Sequence, residues 1–97
     1  MTVFITKTAQ GHLEELVASG QIHSRRFRLI LKGVAQAMPI LEIQFDMIPS
    51  DDDAFLRQAG FEIYIDRNSK KHADGAIIDF LETPFGGTLT VENPYRI

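Results

Sequence analysis

The chain has 97 residues, 44% of them hydrophobic and 24% charged, with a net charge of −3 and no cysteine. That is enough apolar side chain to offset the entropy of ordering, so long disordered tails are excluded, and the length fits one domain over residues 1–97. The missing cysteine excludes disulfides, thiolate metal sites and a Cys nucleophile, and the acidic balance argues against a chain built to grip nucleic acid.

Val3 to Ile5 is a short apolar run that reads as a strand. Thr6 or Thr8 can cap a helix, after which Ala9, Leu13, Leu16 and Val17 recur on one stripe until Gly20, which predicts a helix over residues 7–19. The period then changes to two. Phe27, Leu29 and Leu31 alternate with Arg26, Arg28, Ile30 and Lys32; Leu41, Ile43 and Phe45 alternate with Glu42 and Gln44; Phe61, Ile63 and Ile65 alternate with Glu62, Tyr64 and Asp66. Each set predicts a half-buried strand. Residues 76–81 and 88–91 supply two more, while 51–58 and 68–73 are each read as a helical turn. The expected class is a compact α+β domain with one N-terminal helix and about six short strands in mixed or antiparallel sheets. The apolar runs are too short to span a bilayer, and the first residues lack the pattern of a signal peptide, so no membrane is expected and the cytoplasm is the default location.

Asp51-Asp52-Asp53 invites comparison with a calcium loop, but Phe55 and Leu56 stand where an oxygen ligand and a turn glycine are needed. The run is read as a solvated, capping turn. Arg26, Arg28 and Lys32 share one strand face, a row that could hold phosphate or an acidic partner; without a basic surplus elsewhere, nucleic acid is not expected. His12, His23 and His72 show no i, i+4 pairing, and His12 is placed on the surface. No serine sits in a nucleophile motif, and Gly86-Gly87 leads into a strand, so it is read as a tight turn.

Gly60-Phe61-Glu62-Ile63-Tyr64-Ile65-Asp66, then Ser69, the Asp74-Gly75 turn, Ile78-Asp79-Phe80 and Asn93-Pro94 come in an order that resembles the HesB-like family, the A-type iron–sulfur carriers of the IscA and SufA kind. The resemblance covers nearly the whole chain and implies a compact fold of pseudo-symmetric motifs. It also implies binding of iron or an iron–sulfur cluster through three cysteines, with transfer to apoproteins. The first of those cysteines aligns with Gln36, and the Cys-x-Cys tail falls beyond Ile97, so all three ligand positions lack a thiolate.

Four expectations follow. The chain is a cysteine-free HesB-like domain, non-enzymatic, with an accessory or protein-interaction role. A protein partner or homo-oligomer is expected, and no cofactor, because an iron–sulfur cluster needs thiolate. Gly33, Gln36, Met38 and Tyr95 mark the interaction or ligand region, with no catalytic, cofactor or metal residue assigned. The alternative is a small-ligand or metal-ion module with oxygen and nitrogen ligands near residues 33–38.

Overall fold

A computed structural model describes residues 1–94. The chain runs β1 (Val3–Ile5), α1 (Lys7–Ala18), β2 (Arg26–Ala35), β3 (Met38–Phe45), β4 (Ala54–Gln58), β5 (Phe61–Ile65), α2 (Lys70–Ala73), β6 (Ala76–Thr83) and β7 (Gly86–Glu92). The radius of gyration is 13.1 Å and the extents are 34 × 34 × 19 Å. Among the described residues, no helix is long and apolar enough to cross a membrane.

Helix α1 begins and ends where the sequence predicts. The Thr6 hydroxyl accepts the Ala9 N–H at 3.2 Å, leaving one fewer orphan donor in the first turn. Gly20, with φ of 76°, follows the Ser19 cap in the left-handed region that suits glycine.

Strands β1, β6 and β7 form one sheet, with β1 parallel and β7 antiparallel to β6. The second sheet has the order β3-β2-β5-β4; β2 pairs in parallel with β5 and antiparallel with β3, and β4 is antiparallel to β5. The two sheets share a plan. In each, a central strand has a sequence-distant parallel neighbour on one side and its own hairpin mate on the other. The parallel pairings are short, Val3–Ile5 with Ala76–Ile78 and Arg26–Leu29 with Glu62–Ile65. Beyond them, β2–β3 and β6–β7 continue as two-stranded ribbons.

Period-two alternation explains which faces meet. Phe27 and Leu29 of β2, Phe61, Ile63 and Ile65 of β5, Val3, Ile78, Ala9 and Leu13 are all buried in one cluster. Phe80 packs on its margin, stacked on His12 at 4.0 Å, so His12 is not the free surface residue the sequence suggests. A Cβ at Gly87 would fall 2.0 Å from Cζ of Phe80, and the ring occupies the space the missing side chain leaves.

Three expectations are corrected. Residues 54–58 are a strand, not a helical turn: Phe55 pairs with Tyr64 and Arg57 with Glu62, and those cross-strand neighbours decide the local form. The described residues therefore hold seven strands. Lys32 falls outside the regular alternation that sets Arg26 and Arg28 on one face, because the register shifts between Leu31 and Gly33. Asp53 is not solvated; its side chain is 2% exposed and bonded to Arg28 at 2.6 Å.

Candidate functional site

The turn joining β2 to β3 carries the position that the resemblance gives to a first ligand. Ala35 pairs with Met38, so Gln36 and Ala37 are the two turn residues, with φ of 52° and 64°. Positive φ at both is the I′ geometry, whose twist matches that of hairpin strands. It favours Asn-Gly. A side chain in the left-handed region costs about 1 kcal/mol per residue, and Gln-Ala is held there by the pairing on either side.

Around this turn Val34, Met38 and Ile40 are 61%, 47% and 47% exposed. Gly33 pairs with Ile40 just after the bulge. Gly33, Gln36 and Met38 thus come together on the end of one ribbon, with apolar side chains beside a single amide. Tyr95 lies outside the described residues, and so does any pocket between it and the ribbon. Among the described residues, no group of three or more His, Asp or Glu side chains could hold a metal ion, and the relatives reported below do not favour the ligand-module alternative.

The motif residues farther along the chain carry the scaffold. Ser69 is buried and its Oγ accepts the Leu31 N–H at 2.8 Å. That N–H lies where β2 has run past its last pairing with β5, so the hydroxyl replaces a missing strand. Asp79 Oδ1 accepts from the Thr6 hydroxyl at 2.7 Å and from the Phe80 N–H at 2.8 Å, joining the start of α1 to β6. The Thr6 bond first, and the Phe80 N–H second, hold the Asp79 carboxyl below its ordinary value against some desolvation. Buried Asn93 donates from Nδ2 to the carbonyls of His72 and Asp74, at 2.9 and 2.7 Å, and fastens the end of β7 to α2.

Arg28 is likewise structural. It donates to Asp53 Oδ2, to the Ile48 carbonyl at 3.0 Å and to Gln44 Oε1 at 3.4 Å, pinning the segment between β3 and β4 onto β2. Burial alone would raise the Asp53 pKa. The Ser50 N–H, the Arg28 hydrogen bond and the Arg28 charge outweigh it and lower the value. Arg26 stays half-exposed on the same sheet face, where Arg57 of β4 joins it through Glu62. Reading 51–58 as helical hid Arg57; the alternation of Phe55 and Arg57 with Ala54, Leu56 and Gln58 was the available signal.

No family model matches the chain. SufA of Bacillus subtilis is 25% identical over 95 residues, covering 98% of this chain and 79% of that protein. ErpA of Bordetella pertussis is 27% identical over 89 residues, covering 92% and 72%. The Fe/S biogenesis protein NfuA of Shewanella frigidimarina is 35% identical over 98 residues, but the match covers 95% of this chain and only 48% of NfuA. Among solved structures, IscA with a 2Fe-2S cluster superposes with a TM-score of 0.80 at 21% identity, covering 96% of this chain and 86% of IscA. Escherichia coli SufA, involved in biosynthesis of iron–sulfur clusters, gives 0.76 at 23% identity, covering 98% and 82%.

The chain is thus similar in sequence to SufA and ErpA over nearly its whole length and has the fold of IscA and Escherichia coli SufA. These relatives support the resemblance to the A-type iron–sulfur carriers, in a chain that holds no cysteine.

The expectation of no cofactor is thereby corrected. IscA, which shares this fold, was solved with a 2Fe-2S cluster, so the fold itself gives no ground for expecting none. The cysteine count answers a narrower question. Gln36 offers a neutral amide where soft iron prefers thiolate, so thiolate ligands on this scaffold would come from outside these 97 residues.

Proposed function

We propose that the chain serves iron–sulfur cluster biogenesis as a non-enzymatic interaction domain of the cytoplasm, folded as one unit over residues 1–97, and that its partner is a cysteine-bearing chain of the same fold. The observation that carries this reading is the β2–β3 ribbon end. It sets Gln36 in a two-residue hairpin turn beside the exposed apolar side chains of Val34, Met38 and Ile40. Apolar side chains on a projecting ribbon favour a protein partner over a small ligand. The relatives whose names speak of iron–sulfur biogenesis supply the process.

The experiment mixes this chain with a cysteine-bearing A-type carrier and measures mass by light scattering during size-exclusion chromatography. A hetero-oligomer is expected, and Met38→Glu should weaken it roughly tenfold or more by placing a charge in its apolar contact. Two separate peaks at every concentration, or self-association of this chain alone, would overturn the choice of partner.

A further inference from the structure

We propose that the outer face of the four-stranded sheet carries a second site, an oxyanion seat between Arg26 and Arg57 that takes a small phosphate or carboxylate group. Parallel register sets Arg26 of β2 beside Glu62 of β5, and antiparallel register sets Arg57 of β4 beside the same Glu62. One row across three adjacent strands therefore reads Arg–Glu–Arg. With neighbouring strands about 4.8 Å apart, both guanidinium groups reach the centre of the row.

They reach it without closing on Glu62. Arg57 Nη2 stands 3.5 Å from Glu62 Oε2, and Arg26 Nε stands 3.8 Å from Oε1. Both separations exceed a good hydrogen bond. Glu62 Oε1 instead accepts the Tyr64 hydroxyl at 3.1 Å. The N–H forks of Arg26 and Arg57 thus remain largely unused among the described residues. Arg57 is also positioned from below, its guanidinium 5.4 Å over the Phe55 ring.

The surroundings favour an anion. Arg25 stands beside the row, already held in a fork by Glu14 and lying over the Phe61 ring. It adds positive potential without competing for the guest. Three arginines against Glu14 and Glu62 leave a local surplus of one positive charge, in a chain whose net charge is −3. These arginines, Glu62, Ser24 and Gly60 line an open cavity of about 390 Å³. Ser24 Oγ, in that lining, is buried with no hydrogen-bond partner among the described residues. Gly60 adds no side chain to the wall.

A simple charge ladder, in which Arg26 and Arg57 only neutralise Glu62, would show balanced charge and closed hydrogen bonds. This row has neither. An oxyanion between the two guanidinium groups would complete both forks with charge-assisted bonds, in the planar geometry that arginine provides and lysine does not.

The test titrates the whole chain with inorganic phosphate and, separately, with succinate. Ionic strength is held constant with sodium chloride, and amide NMR shifts are followed. Saturable shifts centred on Arg26, Arg57 and Glu62 are expected with at least one of the two, and the tighter binder identifies the preferred group. Arg57 is 74% exposed, so Arg57→Ala leaves the fold in place, as its melting temperature will show. It should weaken binding roughly tenfold or more. Arg57→Lys should recover only part of that loss, and Glu62→Gln should tighten binding by removing the competing carboxylate. Shifts that never saturate, or equal affinity in the Arg26→Ala/Arg57→Ala double variant, would overturn the site.

Discussion

At the residue scale, the side chains that make the sequence resemble its family are the ones that satisfy buried backbone groups. Ser69 takes the Leu31 N–H and Asn93 takes two carbonyls. Each prevents an unpaired polar group whose cost would be about 1–3 kcal/mol. This is why the motif identifies the fold and says little about the chemistry at Gln36. Asp53 illustrates what residue-by-residue reading misses: in sequence it is one of three adjacent acids, and only the fold brings Arg28 to it. Its pKa is lowered, so the carboxylate stabilises the folded state above its unfolded value of about 3.9, and that stabilisation is lost as pH falls through the folded value. Asp53→Asn should cost about 3 kcal/mol at pH 7, because Arg28 loses its buried partner. It should also give a shallower loss of stability below pH 4 than the parent chain. Urea unfolding across a pH series measures both, and parallel curves would refute the assignment.

At the element scale, legibility followed periodicity. Helix α1 and strands β2, β3 and β5 were readable because each repeats over several residues and ends on a turn or cap signal. Strand β4 was not, because Ala54–Gln58 is short and follows three aspartates that resemble a helix cap; its pairing with β5 is tertiary information. That one error concealed half of the Arg26–Arg57 site. The hairpin turns offer an internal comparison. Ala59-Gly60 and Gln36-Ala37 both have positive φ at both turn residues, but only the former has a glycine. Ala37→Gly should therefore stabilise the chain by about 1 kcal/mol, read as a raised denaturation midpoint with unchanged slope. A lowered midpoint would show that the Ala37 side chain makes a contact worth more than the backbone strain.

At the scale of the whole molecule, two ribbons extend from a flat body only 19 Å thick in its shortest dimension. The β2–β3 end carries Val34, Met38 and Ile40, and the β6–β7 end carries a fully exposed Phe85. The plan of two sheets was legible only through the family resemblance, since no local pattern joins strands so far apart in the chain. That distance has a consequence for how the protein is made. Strand β1 is the first of the described strands, and among the described residues it pairs with β6 alone, near the other end of the described chain. The four-stranded sheet can close once Ile65 is available, while the apolar stripe of α1 has no β6 to rest on. Contacts of such long sequence separation form slowly. We therefore expect pulse-labelled hydrogen exchange during refolding to protect β2 and β5 before β1 and α1; protection in the reverse order would refute this. Strand β1, once made, therefore waits for β6 before it can be seated. Until β6 is made, the apolar stripe of α1 lacks one of the surfaces it packs on, and transiently exposed apolar surface of this kind promotes aggregation during synthesis.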